Sequence, residues 1–144
     1  MQNLPRERVS IATAALAAAE MAFEQTLEYC KQRQAFGRPI GKFQHNRFVL
    51  AEMATELAVA RAFTDRCVTE HNDGKLSTEE ASMLKWWDTE LCNRVIDRCL
   101  QLHGGYGYMR EYAVARAFAD GRAQTIIGGT TEIRKEIIGR GLGV

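Results

Sequence analysis

The sequence predicts an all-α fold, an antiparallel four-helix bundle, and three observations lead to this prediction. Apolar residues recur at helical spacing along three stretches of roughly 27 residues each. The 144 residues contain only two prolines, and residues that favour helices are abundant. No stretch shows the alternation typical of a strand. Helices about 40 Å long, at about 1.5 Å per residue, can hardly pack except lengthwise, so a bundle follows.

The first predicted helix runs from about Pro5 to Arg33. Proline suits the first turn of a helix, and an apolar stripe follows at spacings of three and four residues. The stripe consists of Leu16, Ala19, Phe23, Leu27 and Cys30. Gly37, Pro39 and Gly41 then interrupt the helix.

The second predicted helix runs from about Phe43 to His71 and ends in the turn sequence Asn72-Asp73-Gly74. Its buried face is predicted to carry Val49, Met53, Leu57, Ala60 and Cys67.

Ser77, followed three residues later by Glu80, is a capping box and opens the third helix. The inward positions of this helix are Leu84, Leu91, Val95, Cys99 and Leu102, and Gly104 with Gly105 stops it. A fourth segment, from about Tyr112 to Arg140, is interrupted at Gly121 and at Gly128-Gly129.

Length and composition describe an ordinary single domain. With 46% apolar and 26% charged residues, the chain can bury a core without metals or disulfides. A formal net charge of +1 favours neither nucleic acid nor an anionic membrane. No apolar stretch has the length of a membrane span, and nothing marks the N-terminus for export.

The four cysteines show no metal-ligand or redox spacing. Cys30, Cys67, Cys92 and Cys99 contain no Cys-x-x-Cys pair and no histidine at ligand spacing. We therefore expect core thiols, a reducing compartment and no metal site. Packing or surface positions are also expected for His45, His71, His103 and the pair Trp86-Trp87.

The first candidate binding feature is the run RQAFGRPI at positions 33–40, followed by Phe43-Gln44. An arginine beside an aromatic residue and a glycine turn can grip a phosphate while stacking on a planar ring. The alternative is that Arg33 complements the helix dipole and Phe36 caps the core.

The second feature is the run QLHGGYGY at positions 101–108. Its adjacent glycines let backbone amides approach a pyrophosphate closely. It is not a dinucleotide-binding fingerprint, because a helix rather than a strand precedes it. The alternative is that the glycines simply end the helix.

Two further features lie at predicted helix starts. The run IGGTTEIR at positions 127–134 is a glycine turn before a helix N-terminus, which suits an anionic or polar ligand. The alternative is that Thr130 is only an N-cap. The run LPRER at positions 4–8 places Glu7 in the first turn of a helix, where a carboxylate normally just complements the dipole.

The order and separation of these four features resemble the C-terminal domain of the acyl-CoA dehydrogenase family. Arg33-Gln34-x-Phe36-Gly37 is similar to the family's flavin contact. The family's long C-terminal pattern is matched by Gln101, Gly104, Gly105, Gly107, Tyr108 and Glu111, then Arg116 and Asp120. The resemblance covers essentially all 144 residues.

This resemblance implies that residues 1–144 form the C-terminal domain, without the family's N-terminal helical domain and middle β-domain. It implies an FAD enzyme that oxidises acyl-CoA to trans-2-enoyl-CoA, by α-proton abstraction and hydride transfer to flavin. It further implies a homotetramer or dimer and electron transfer to electron-transfer flavoprotein. The expected compartment is the bacterial cytoplasm or the mitochondrial matrix.

The resemblance also implies roles for particular residues. Arg33, Phe36 and Gln44 would contact the FAD of a neighbouring subunit, and Gln101, Gly104 and Gly105 would line another FAD segment. Thr130 and Glu132 would meet FAD near the catalytic turn, and Arg8 would order the substrate cavity.

The sequence departs from the commonest family pattern at Gly128. Many members have Glu-Gly-Thr where this chain has Gly128-Gly129-Thr130, and that glutamate is their catalytic base. In long-chain and isovaleryl-type members, the base comes instead from the start of the first helix, just before an arginine. Glu7 followed by Arg8 is similar to that arrangement, so Glu7 is the expected base and Gly128 is expected to leave room for it. The alternatives are an acyl-CoA oxidase or related flavin enzyme, and a non-catalytic helical interaction module.

Overall fold

A computed structural model describes residues 4–144, with side chains from Arg6 onward, as a helical bundle. The elements are α1 (Leu4–Gln32), β1 (Gln34–Ala35), β2 (Arg38–Pro39), a 3₁₀ turn (Ile40–Lys42), α2 (Gln44–Asn72), α3 (Thr78–His103), a 3₁₀ segment (Gly104–Tyr108), α4 (Ala113–Gly121), a 3₁₀ turn (Arg122–Thr125) and α5 (Thr131–Gly141). The all-α prediction is confirmed, and the predicted ends of the first three helices differ from the observed ends by at most one residue.

Helices α1 and α3 form the centre of the bundle and run in the same direction. Arg8 reaches Ser82 near the starts of the two helices, and Tyr29 reaches His103 near their ends. Helix α2 runs antiparallel to both, and the α4–α5 segment returns along α3. Consecutive helical segments are therefore antiparallel, as predicted.

The predicted apolar stripes form the core. Most of their residues are fully buried, including Leu16, Met53 and Leu91, while Phe23, Leu27, Val49 and Leu102 are partly buried against them. All four cysteines are buried and free, as expected for core thiols. The capping box is also present, because Ser77 Oγ accepts from the Glu80 amide at 3.1 Å and the Glu80 carboxylate accepts from the Ser77 amide at 3.4 Å.

The structure differs from the sequence prediction between α1 and α2, where a two-residue ladder forms a small hairpin. Gln34 pairs with Pro39 and Ala35 with Arg38. Phe36 and Gly37 at the tip both have positive φ, of 51° and 77°, which matches the twist of a tight hairpin. A ladder this short carries no alternating pattern, so periodicity could not predict it.

The fourth predicted helix is two helices in the structure. Helix α4 ends at Gly121, and a 3₁₀ turn with an irregular connection leads to α5. Both breaks fall at the predicted glycines. None of the helices described by the structure has an apolar stretch long enough to cross a membrane.

Candidate functional site

The predicted site residues lie in two groups at opposite ends of α1. Glu7 and Arg8 are in its first turns, and Arg33 directly follows its last residue. At about 1.5 Å per residue, the length of α1 separates the groups by about 40 Å. Each group must therefore be considered as a separate site.

The hairpin-end cleft has a volume of about 720 Å³ and lies where α1, α2 and α3 meet the hairpin. It brings together four predicted residues: Arg33, Gln101, Gly104 and Gly105. Its other walls come from Tyr29, Ile40, His45, Asn46, Leu102, His103, Tyr106 and Met109.

Aromatic rings form one wall of the hairpin-end cleft. Tyr29 stacks on His103 with ring centroids 4.1 Å apart, and His103 Nδ1 lies 2.8 Å from the Cys99 carbonyl oxygen. The Arg33 guanidinium lies over the Tyr106 ring, 5.2 Å from its centroid. The wall thus combines flat apolar surfaces with a cation, which suits a ligand containing an aromatic ring and a phosphate.

Gly104 and Gly105 leave the floor of the cleft open. A Cβ at either position would meet no atom within 4 Å, so the backbone is accessible to a ligand. Gly104 has φ of 59° and caps α3, so it does end the helix, as the alternative interpretation proposed. This role does not prevent its backbone from contacting a ligand in the cleft.

Phe36 and Gln44 do not line the cleft. The Phe36 side chain is 96% exposed, which excludes the alternative that it caps the core, and it meets Phe43 edge-on at 6.2 Å. Its positive φ is unusual for a bulky residue and is held by the hairpin. Gln44 is exposed at the first position of α2, beside the lining residues His45 and Asn46.

The turn-end cavity, at the start of α1, has a volume of about 460 Å³. It is lined by Arg6, Glu7, Ser10, Ile11 and Gly128. The Glu7 side chain is exposed at this cavity. It would be in an apolar environment only if a ligand or further protein covered it. Gly128 has φ of 63°, and a Cβ there would lie 2.5 Å from Ile11 Cδ1. The two residues that the sequence paired, Glu7 and Gly128, therefore face one cavity.

Three buried cations lie behind this cavity. Arg8 does not line it; its side chain is buried, and Nη1 donates to Ser82 Oγ at 3.3 Å. Lys85 on α3 donates from Nζ to the Gly129 carbonyl at 2.9 Å, and Arg134 on α5 donates to the Gly128 carbonyl. Burial, reinforced by the neighbouring Arg134, lowers the pKa of Lys85 to about 8.

Lys85 and Arg134 were not among the site residues predicted from the sequence. One signal for Lys85 was available, since it lies four residues after Ala81 and three before Asp88 on the buried side of α3. A cation at such a core position requires a specific partner.

Thr130 occupies the N-cap position of α5, which was the alternative to a binding role, but its hydroxyl forms no cap hydrogen bond. Glu132 is exposed in the first turn of α5. Its own backbone amide and the Thr130 hydroxyl lower the pKa of this carboxyl. Within residues 4–144, no group of three or more metal-ligating side chains comes together.

Comparison with known proteins agrees with this fold and with the motifs. The family model "Acyl-CoA dehydrogenase, C-terminal domain" matches residues 1–143. The chain therefore belongs to the acyl-CoA dehydrogenase family and corresponds to its C-terminal helical domain.

The long-chain specific acyl-CoA dehydrogenase of Sus scrofa mitochondria is 50% identical over 140 residues, which are 97% of this chain and 33% of that protein. The crystal structure of an acyl-CoA dehydrogenase from Geobacillus kaustophilus superposes with a TM-score of 0.98 at 49% identity, covering 100% of this chain and 38% of the other. A glutaryl-CoA dehydrogenase from Mycobacterium smegmatis in complex with FADH2 is 26% identical, with a TM-score of 0.93, covering 96% of this chain and 36% of the other. The chain thus spans about a third of the length of the curated relative.

Proposed function

We propose that this chain is the C-terminal domain of an FAD-dependent acyl-CoA dehydrogenase in which Glu7 is the catalytic base. The observation that carries the proposal is that Glu7 and Gly128 face the same cavity. A carboxylate from the start of α1 thus lies opposite a position without a side chain. This arrangement suits an acyl thioester held between them, with its α-carbon toward Glu7.

The role of Glu7 is to remove the α-proton of the thioester. A carboxylate does this best when it is buried beside the substrate, because the loss of hydrating water makes it a stronger base. Glu7 is exposed in this chain, so substrate and further protein must supply that burial. Arg8, buried behind it, orders the first turn of α1 by bonding to Ser82.

The hairpin-end cleft fits part of FAD. Arg33 supplies a cation for a phosphate, Tyr106 supplies a ring beside it, and the open backbone at Gly104 and Gly105 admits a pyrophosphate. Gln101 supplies a polar side chain on the same wall. When bound, FAD accepts the hydride that leaves the β-carbon of the substrate.

Phe36 and Gln44, next to the cleft, are proposed to contact the same cofactor. Thr130 and Glu132 are proposed to meet a flavin at the other end of the bundle. The two ends are about 40 Å apart, so we assign the residues at each end to a different FAD molecule. One chain would therefore contribute to two FAD molecules, and this requires at least a homodimer.

The proposed substrate is a long-chain or branched acyl-CoA. It is supported by the combination of Glu7 with Gly128 and by the 50% identity to a relative named as long-chain specific. The proposed electron acceptor is electron-transfer flavoprotein, in a bacterial cytoplasm or a mitochondrial matrix. Slow reduction of oxygen by the reduced enzyme would separate a dehydrogenase from an oxidase.

The decisive experiment uses the complete enzyme and the variant Glu7→Gln. Rapid mixing with acyl-CoA should show flavin reduction slowed by about 10²–10⁴-fold, the range expected for loss of a general base. FAD content should stay unchanged. Glu24→Gln, an exposed glutamate on the same helix, is the matched control. Near-normal reduction in Glu7→Gln would contradict the assignment.

A further inference from the structure

Two buried cations hold consecutive carbonyl groups of the diglycine turn, which we define as Gly128 and Gly129. Lys85 Nζ donates to the Gly129 oxygen at 2.9 Å, and Arg134 donates to the Gly128 oxygen. Lys85 is fully buried and Arg134 is 2% exposed. The two side chains come from different helices, α3 and α5. They therefore tie the turn to both neighbouring elements of the bundle.

This arrangement is costly for the chain by itself. Arg8 lies near Arg134, and within residues 6–144 none of the three cations forms an ion pair with a carboxylate. Arg134 Nε and Nη1 and Arg8 Nε are buried without a hydrogen-bond partner. Burying a charge without an ion-pair partner lowers the stability of a fold, so stability alone does not explain why these cations lie here.

The backbone of the diglycine turn is too free to fix its own conformation, so contacts from other residues are needed. Gly128 and Gly129 have φ of 63° and 99°, in the left-handed region, so their carbonyls are not part of a regular helix. Paired glycines have the greatest backbone freedom of any residues. A side chain at position 129 would overlap the Arg134 guanidinium, so glycine is required for this contact.

We propose that Lys85, together with Arg134, is a positioning residue that fixes the diglycine turn as the wall of the turn-end cavity opposite Glu7. This inference rests on the proposed function, because the cavity is taken to hold the acyl thioester. Neither cation lines the cavity or touches the reacting atoms. They act through the turn, whose displacement by about 1 Å is enough to cost about 100-fold in rate.

The first test measures the turn itself, without any activity. Hydrogen exchange of the complete enzyme is followed by mass spectrometry in wild type, in Lys85→Met and in the control Thr89→Val. Thr89 is equally buried on the same helix, and its hydroxyl bonds only to carbonyls of that helix. The amides of Ile126, Ile127 and Arg134, which donate hydrogen bonds on either side of the turn, should exchange at least about tenfold faster in Lys85→Met and unchanged in Thr89→Val. Unchanged exchange of this segment in Lys85→Met would overturn the proposal.

The second test uses the complete enzyme. Flavin reduction at saturating acyl-CoA should slow by about tenfold or more in Lys85→Met, while the substrate dissociation constant changes little, because the turn and not a substrate contact is altered. Lys85→Gln keeps a neutral donor and should recover part of the rate. It also provides a second variant if Lys85→Met unfolds. Wild-type reduction in both variants would overturn the positioning role.

The two proposals can fail separately. Normal flavin reduction in Glu7→Gln would refute Glu7 as the base. Faster hydrogen exchange of the turn in Lys85→Met would still show that Lys85 fixes the diglycine turn. Conversely, an inactive Glu7→Gln with an unaffected Lys85→Met would keep the proposed base and refute the positioning role.

Discussion

Glu7 in the first turn of α1 and Gly128 before α5 line one cavity, although they lie near opposite ends of the sequence. This arrangement depends on α1 and α3 running in the same direction and on the α4–α5 segment returning along α3. A carboxylate and a position without a side chain are thereby set across the same space.

Restoring a carboxylate at position 128 should rescue Glu7→Gln more fully when Ile11 is also shortened. A Cβ at position 128 would lie 2.5 Å from Ile11 Cδ1, and φ there is 63°. In the complete enzyme, Glu7→Gln with Gly128→Glu should recover only part of the flavin reduction. Adding Ile11→Ala should recover about tenfold more, because it removes the contact that displaces the new side chain. Glu7→Gln with Ile11→Ala alone is the control, and equal rates with and without Ile11→Ala would refute the steric argument.

Gly129→Ala should destabilise the chain strongly. The backbone is in the left-handed region, at φ of 99°, and the new Cβ would displace the buried Arg134 guanidinium from its bond to Gly128. We expect a loss of at least about 2 kcal/mol in the free energy of unfolding, measured with urea. Gly139→Ala in α5 is the control, since a Cβ there meets no atom within 4 Å. The control should stabilise by up to about 1 kcal/mol, and similar effects of both changes would contradict the model of the turn.

Asp88→Asn should remove a pH-dependent penalty on stability. Asp88 is fully buried and accepts from Thr64 Oγ1 at 2.8 Å, with Arg61 and Glu20 nearby. Burial raises the pKa of Asp88 from 3.8 to about 7. The folded state therefore holds this proton more tightly than the unfolded state, so stability falls as pH rises from about 4 to 7 and the penalty is complete above 7.

The penalty is at most about 4 kcal/mol, from three pKa units at about 1.36 kcal/mol each. Thermal unfolding at pH 5 and at pH 8 should show the largest gain for Asp88→Asn at pH 8. Asp97→Asn, an exposed residue of the same helix, is the control. A gain that is equal at both pH values would count against a protonated Asp88.

Arg33→Ala in the complete enzyme should weaken FAD binding. Loss of one charge-assisted hydrogen bond to phosphate, worth about 1.5–3 kcal/mol, corresponds to about 10–100-fold in the dissociation constant. Arg94→Ala is a suitable control, because Arg94 also lies over an aromatic ring, that of Trp87, at 5.3 Å, but does not line the hairpin-end cleft. Fluorescence titration of the apoenzyme with FAD measures the dissociation constant of each variant. Unaltered binding by Arg33→Ala would exclude a contact between Arg33 and FAD.

The four cysteines should be unreactive until the chain unfolds. Burial raises the pKa of Cys30, and it raises the pKa of Cys67, Cys92 and Cys99 to about 11. Since the thiolate is the reactive form, DTNB at pH 8 should label none of them in the folded chain and all four in guanidinium. A rapidly labelled thiol in the native state would contradict their burial.

The helices and their buried faces could be predicted from the sequence because these properties are local. Periodicity sets which face of α1, α2 and α3 is apolar, and the Ser77–Glu80 box with the Gly104 stop depends on neighbours a few residues away. The family motifs likewise identified Glu7, Gly128 and Arg33 as site candidates from their order along the chain. Their chemical roles remain predictions.

Only the tertiary structure decided which of these residues share a site. Periodicity states that a face is buried but not which element covers it. The meeting of Glu7 with Gly128 in one cavity, and of Arg33 with Gln101 in another, therefore depends on how the helices pack. The same is true of Lys85 and Arg134. Their partners are backbone carbonyls of a distant turn. Every residue has a backbone carbonyl, so the sequence does not indicate which one accepts a side-chain hydrogen bond.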